Sequence, residues 1–246
     1  MSNGDVLAAK KYNSDDSLEV KEFFEIWALY QQVIKHNYML HEEVIEQLIN
    51  DLSARGEKPL SILELGCGDA YTVSQVMKKI NIAKYYGIDL SEMALTFAQD
   101  NLNESINDLT LINGDLVAEI NNISQQFDII LAGFSLHHLK REDKNQVLSE
   151  CKKRLYPDGT LIVYDIVHNE NETQKEFLAR CVKHFKKNWT QLSQEQLDSA
   201  CQHVIDHDIP ESFHGWQALA KGNYFNSCEC IFRDVNEMYA ILKFSH

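Results

Sequence analysis

Glu64-Leu65-Gly66-Cys67-Gly68-Asp69-Ala70 joins a carboxylate to a pair of closely spaced glycines, just before a stretch able to start a helix. Glycine lets the backbone turn sharply and approach a ligand with no Cβ in the way. The third glycine of a dinucleotide fingerprint would fall at Tyr71, where a large ring would crowd a pyrophosphate, so a compact phosphate-free nucleoside suits the turn better. Asp89, in Tyr86-Gly87-Ile88-Asp89-Leu90-Ser91, lies roughly 20 residues on, the distance at which an acid accepts from both ribose hydroxyls. Ser91 is placed to cap the next helix, and Met93 either touches an adenine face or packs in the core. In Asn113-Gly114-Asp115-Leu116, the Asp115 carboxylate either reads the exocyclic amine of adenine or forms the loop's turn. His137 and His138 follow a strand-like run, and a neutral imidazole there can take a proton from a hydroxyl or amine near neutral pH. His137, nearer the strand end, is the better placed of the two.

These residues need a frame that brings several strand ends to one edge. Apolar runs at Ser61 to Leu65, Tyr85 to Leu90, Leu109 to Asn113, Phe127 to Ala132 and Thr160 to Ile166 alternate with helical patterns such as Glu92 to Leu102 and Asn145 to Leu155. Such alternation predicts βαβ units and a parallel sheet covered by helices on both faces. Tyr156-Pro157-Asp158-Gly159 reads as a turn before the fifth strand. Ahead of this core, Ser17 to Leu52 carries apolar residues at helical period and forms a preface. After Val167 the alternation stops for about fifty residues, too long for an ordinary connection, and helical patterns there predict a cap. Cys228 to Arg233 and Met238 to Phe244, joined by Asp234-Val235-Asn236, predict a closing antiparallel hairpin.

Composition narrows the function. The 246 residues include 37 acidic against 23 basic side chains, and the net charge of -14 would repel a nucleic-acid backbone. The longest apolar runs fall short of the roughly 20 residues that span a bilayer, and the first residues lack the apolar stretch of a secretory signal, so a cytoplasmic protein without a membrane segment is expected. The six cysteines read as reduced thiols, Cys228 and Cys230 being too close for the usual zinc pair. His203 and His207 have the i, i+4 spacing of a metal clasp but no neighbouring Glu, and read instead as a polar helix end; no metal is expected.

Taken together, the ELGCG, GIDLS and INGDL segments, the Phe127-Asp128-Ile129-Ile130 strand leading to His137-His138-Leu139, and the Leu155 to Leu161 turn resemble the class I S-adenosylmethionine-dependent methyltransferases from about Ile62 to Val167. The resemblance implies a Rossmann-like, doubly wound sheet of seven strands, mostly parallel with an antiparallel last strand. It implies S-adenosylmethionine as donor, S-adenosylhomocysteine as product, and in-line methyl transfer to an oxygen or nitrogen of a small acceptor. Glu64, Gly66, Cys67 and Gly68 would serve the methionine moiety, Asp89, Leu90, Met93, Gly114, Asp115 and Leu116 the nucleoside, and Ala132, Gly133 and Phe134 the methyl. Ala70 departs from the family, many members of which carry a third glycine there; its small size suggests little cost. One methyltransferase domain is expected, divided into a preface or lid over 1–57, a cofactor core over 58–168, a cap over 169–222 and a terminal hairpin over 223–246. Tyr12, Trp27, Tyr30, His214 and Trp216 are the candidates for a lid over the acceptor, with an amphipathic core role the alternative for Trp27.

Other readings stay open. A methylated protein acceptor, or a module that binds the donor without catalysis, would leave the same motifs, and the state could be monomer or homodimer. A nicotinamide dehydrogenase shares the glycine turn, and Tyr239 and Lys243 fit its Tyr-x-x-x-Lys pattern, but on a strand they would stand about 13 Å apart.

Overall fold

A computed structural model describes residues 17–102 and 106–246, with side chains from residue 26 onward. The preface is two helices, α1 (Ser17–Lys35) and α2 (His41–Ser53). The single helical run expected from periodicity breaks between them, where Asn37 and Leu40 take positive φ of 51° and 60°. Asn37 stabilises the break by accepting from the Glu42 amide at 3.0 Å. There follow β1 (Leu60–Leu65), α3 (Tyr71–Val76), β2 (Ile82–Asp89), α4 (Glu92–Leu102), β3 (Asp108–Asn113), the short α5 (Leu116–Glu119), β4 (Phe127–Gly133), α6 (Arg141–Arg154) and β5 (Leu155–His168). The remainder is α7 (Gln174–Asn188), α8 (Gln194–His207), the two-residue β6 (Glu211–Ser212), α9 (Phe213–Gly222), β7 (Ser227–Arg233) and β8 (Tyr239–Ser245).

The sheet runs β3-β2-β1-β4-β5-β8-β7, with β6 added beside β5. The first five strands pair in parallel, and β8 is antiparallel to both β5 and β7. The expected seven-stranded order is therefore present, and β6 makes an eighth strand that a two-residue segment could not announce in sequence. The turn expected at 156–159 is instead a widening inside β5, where the register passes from Phe127↔Leu155 to Ile129↔Thr160. The final hairpin closes on Asp234, whose carboxylate accepts from the amides of Asn236, Met238 and Tyr239 at 2.8, 2.6 and 2.7 Å.

β1 lies between β2 and β4, and Leu65 pairs with Ile88 on one side and Ala132 on the other. The chain winds away from β1 in both directions, so the loops after β1, β2 and β4 open a crevice at their common carboxyl edge, where open α/β sheets bind ligands. Alternate strand residues fill two cores. Leu63, Leu65, Ile130 and Ala132 face one, and Ile62, Ile129, Leu131 and Tyr85 the other. A third, smaller cluster joins α1, α7, α8 and the end of β5 through Val33, Phe177, Phe185, Trp189 and Ile166. The expected cap is thus divided: α7 and α8 pack with the preface, whereas α9 lies on the sheet's first core through Trp216, Leu219 and Ala220.

Candidate active site

The cofactor side is made mostly of backbone. Gly66 and Gly68 take φ of 70° and 53°, and the Gly66 and Cys67 amides donate to the Ile88 carbonyl at 2.8 and 3.0 Å. A Cβ on Gly66 would stand 2.5 Å from that of Ser135, because Ser135 crosses the crevice to donate from Oγ to the Leu65 carbonyl at 2.8 Å. The position next to α3 is held by Ala70 at φ 54°, so what the missing glycine costs is conformational rather than spatial, about 1–2 kcal/mol for an L residue in the left-handed region. Asp89 accepts the Gly68 amide at 2.8 Å on one oxygen and the Ser91 amide at 2.9 Å on the other. Each oxygen keeps a lone pair, so the carboxylate can hold the glycine turn and still receive a ribose hydroxyl. Ser91 caps α4 through the Ala94 amide at 3.1 Å, and Asp115 caps α5 through the Ala118 amide at 3.0 Å, leaving its second oxygen for a ligand.

A cavity of about 280 Å³ opens between these groups. Asp89 and Asp115 supply its carboxylates, and Ile88, Leu90, Leu116 and Leu139 its apolar surface. Among the described residues no Lys or Arg lines it, which suits a nucleoside with a cationic tail and not a pyrophosphate. These residues therefore fit S-adenosylmethionine, with Gly114 and Phe134 also on the wall. Met93 is half-buried outside the lining, and Cys67 turns its thiol into the second core, where a Cβ on Gly87 would meet Sγ at 2.7 Å. Only the backbone of Cys67 faces the turn.

Glu64 is buried on the same side as Tyr85 and Tyr164, accepting from their hydroxyls at 2.5 and 3.1 Å. Burial pushes its carboxyl up to about 7, against the pull of the two hydroxyls, with Asp69 and Asp89 adding repulsion. Ala132 is fully buried at the end of β4. A Cβ on Gly133 would lie 2.0 Å from the Tyr164 ring, so only glycine lets that ring pass. Phe134 then takes φ 48° and donates its amide to the Tyr164 carbonyl at 2.9 Å.

Around Phe134 stands a group of rings drawn from distant elements. Its centroid is 5.4 Å from His41, 5.5 Å from Tyr164 and 6.1 Å from Tyr239. His41 is 6.3 Å from both Tyr30 and Tyr71. Tyr30 donates to Asp69 at 3.2 Å, and burial together with Asp69 raises its own pKa well above the ordinary phenol value, so it remains a donor. Trp27 stacks on Phe97 at 4.5 Å, which fixes α1 against α4. His41 and Tyr239 are buried, and among the described residues neither His41 Nδ1 nor the Tyr239 hydroxyl has a hydrogen-bond partner. Burial lowers the His41 pKa to about 4, leaving a neutral imidazole. His41 was not singled out in the sequence, and Tyr239 only as half of the dehydrogenase pattern. His41 sits in an amphipathic helical run that reads as a surface preface, and only its place under Tyr30 marks it.

The histidine pair is arranged differently from expectation. His137, expected to be the free base, gives Nδ1 to Asp165 in a short hydrogen bond and points Nε2 at Asp208 Oδ1, 3.6 Å away. Burial alone would lower its pKa, but Asp165 and then Asp208 outweigh it and the pKa is raised. Both ring nitrogens thus face carboxylates. His138 is exposed to the cavity, turns Nδ1 toward the same Asp208 oxygen at 3.5 Å, and has its pKa lowered to about 3 by burial, His137 and His203. Asp208, pushed up to about 6 chiefly by burial, was missed because it follows a helix in the insertion and no spacing links it to residue 137.

Two lid candidates lie elsewhere. Trp216 is 1% exposed within the first core, and His214 is an exposed partner of Glu170 at 2.9 Å. The aromatic pair in this segment is explained by α9 packing on the sheet, not by a cap over the crevice. Tyr12 falls outside the described residues. Tyr239 and Lys243 share β8, and Lys243 donates to Asp51 at 2.5 Å, so the dehydrogenase pattern is absent.

Residues 63–161 match a family described as a methyltransferase domain. A carboxy-S-adenosyl-L-methionine synthase of Shewanella sediminis is 22% identical over 90% of this chain and 92% of its own. A malonyl-[acyl-carrier protein] O-methyltransferase of Priestia megaterium is 28% identical over 82% and 74%. Among solved structures, magnesium protoporphyrin IX methyltransferase from Synechocystis PCC 6803 with bound SAM superposes with a TM-score of 0.60 at 14% identity, over 95% of this chain and 99% of that one. An O-methyltransferase family protein from Burkholderia thailandensis gives 0.58 at 12% identity over 84% of this chain, which spans only 58% of that protein.

Proposed function

We propose that the chain, which carries a methyltransferase domain over residues 63–161 on the class I fold, is an S-adenosylmethionine-dependent methyltransferase that methylates an oxygen or nitrogen of a small organic acceptor seated among the rings around Phe134. Bound S-adenosylmethionine supplies an electrophilic methyl on a sulfonium whose thioether departs neutral. The glycine turn, Asp89 and Asp115 hold the nucleoside, while Gly133 and Phe134 border the reacting end. The rings of α1, α2 and β8 exclude water and align the acceptor for in-line attack.

One observation supports this reading: a buried, neutral imidazole whose Nδ1 has no hydrogen-bond partner among the described residues stands 5.4 Å, ring to ring, from Phe134. A group of that kind takes the proton of a hydroxyl or amine as it is methylated. The unpartnered Tyr239 hydroxyl offers a second polar contact to the same acceptor. The preface and β8, rather than α9, supply these walls. The histidine pair takes no part in the proton transfer, His137 being committed to carboxylates and His138 turned to Asp208.

The test is incubation with methyl-labelled donor and fractionated metabolites, protein and RNA, followed by mass spectrometry of both products. Label in a small molecule together with S-adenosylhomocysteine is expected. Label in protein would move the acceptor to another class, and a donor nucleoside gaining a carboxyl group would favour the activity named for the Shewanella relative. With the acceptor in hand, His41→Ala should reduce single-turnover transfer by 10²–10⁴-fold, the usual share of a proton acceptor, with donor affinity retained. Undiminished transfer in that variant would remove His41 from the reaction.

A further inference from the structure

We propose that His137, His138 and Asp208 form a binding site for a divalent transition-metal ion of the Zn²⁺ class, joining the insertion to the cofactor core beside the donor cavity. The three side chains each offer one ligand atom, and no two of those atoms are more than 4.8 Å apart. Asp208 Oδ1 is the point of convergence, at 3.6 Å from His137 Nε2 and 3.5 Å from His138 Nδ1. Four ligands around a tetrahedral zinc, each at about 2.0–2.1 Å, stand roughly 3.3 Å from one another. Two of the pairs already approach that spacing, and a rotation of the exposed His138 ring would close the third.

Asp208 Oδ1 is the independent sign of a missing partner. Asp208 is 5% exposed, yet among the described residues this oxygen receives no hydrogen bond. A buried carboxylate oxygen left this way is costly unless a cation meets it. The surroundings are also those of a ligand set. Asp165, 1% exposed, holds Nδ1 of His137 and accepts the His137 amide at 3.1 Å, so the ring is oriented with Nε2 toward Asp208, and with the proton on Nδ1 in the neutral ring that Nε2 would be the ligand atom. Carboxylate–histidine–metal relays have this form. The backbone keeps the two halves in place, since the Ile209 amide donates to the His137 carbonyl at 2.6 Å and Lys144 reaches the Ile209 carbonyl.

Two imidazoles and a carboxylate suit zinc, cobalt or ferrous ion over magnesium or calcium, which prefer oxygen alone. Three protein ligands leave a fourth position, the count found in sites that take water or a substrate oxygen. The spacing of His203 and His207 reads as a polar helix end, with no metal expected; their rings lie 5.0 Å apart and lead toward the site, His203 standing edge-on to His138 at 5.3 Å. The true ligands come instead from two loops separated by 70 residues.

The experiment uses the full chain without an affinity tag, stripped with chelator and titrated with Co²⁺ and Zn²⁺ in the absence of donor and acceptor. One equivalent of Co²⁺ is expected to give the visible absorption of a low-coordinate ion, displaced by Zn²⁺, and Zn²⁺ should raise Tm. Asp208→Ala and His138→Ala should each weaken binding at least 10-fold, and Asp165→Asn by 10–100-fold as a supporting group. His138 is exposed, so its variant reads the site even where the buried ones lose stability. No cobalt spectrum in the wild type, or stoichiometric binding unchanged in both Asp208→Ala and His138→Ala, would overturn the proposal. Because no methyl transfer is measured, failure here leaves the reading built on His41 standing, and failure of that reading leaves this site intact.

Discussion

The donor half of the crevice and the ring cluster proposed above as its acceptor half are built by different means. On the donor side, Gly66, Gly68, Asp89 and Asp115 stand at the ends of neighbouring strands, and their main interactions are backbone amides within a few residues or across one strand. On the acceptor side, Tyr30, His41, Phe134 and Tyr239 come from α1, α2, the loop after β4 and β8, and meet through rings 5.4 to 6.3 Å apart. Strand register secures the first set, because parallel neighbours must end level. Packing of separately folded pieces secures the second. A fold made this way can keep its donor chemistry while its acceptor walls change.

Trp216→Ala gives the largest effect and separates the sheet from the site. Removing a fully buried ring from the first core should cost about 3–5 kcal/mol in denaturant unfolding. Donor affinity by calorimetry should stay within about twofold wherever the variant is folded, since residue 216 does not line the cavity. A large loss of affinity would mean that α9 belongs to the site after all.

Asp89→Ala comes next and acts on the donor half alone. Leaving ribose hydroxyls and the Gly68 amide without an acceptor should weaken S-adenosylmethionine and S-adenosylhomocysteine alike by about 1–3 kcal/mol. Equal affinity in variant and wild type would detach the glycine turn from nucleoside binding.

The last variant acts through pH and sharpens the boundary between the halves, where Glu64 lies beneath both. Its pKa in the folded chain is about 7, raised from 4.5 mainly by burial. A raised carboxyl pKa means that its favourable contribution is complete below the unfolded value and is lost as pH climbs through the folded one. Stability should therefore fall between about pH 4.5 and 7 by this group's share, and Glu64→Gln, which keeps the hydroxyl contacts without the charge, should flatten that segment of a Tm-against-pH curve. A curve of the same slope in the variant would show that Glu64 is not the group responsible.

Much of the donor half was legible in the sequence because its signals are local. Gly66 and Asp115 follow a β-patterned run within two residues and Asp89 ends one, and a parallel sheet converts that order into proximity. The same logic misjudged side chains whose direction depends on the opposite face. Cys67 turns into the second core, and Glu64 meets Tyr85 and Tyr164. Trp216 looked like an aromatic cap because an interrupted pattern after residue 167 gives no sign of which face of the sheet the later helix will cover.

Amino-acid order by itself determined the alternation of strands and helices, the glycine turn, the acids after the second and third strands, and the closing hairpin, for each depends on contacts between residues near in the chain or on a period that one element displays alone. Tertiary structure decided that His41 rather than His137 carries a free imidazole, that Asp208 meets the histidine pair, and that the cap divides between two cores. Those outcomes depend on burial and on partners from 28 to more than 100 residues away, and neither desolvation nor a distant charge leaves a mark in the spacing of the residues it governs.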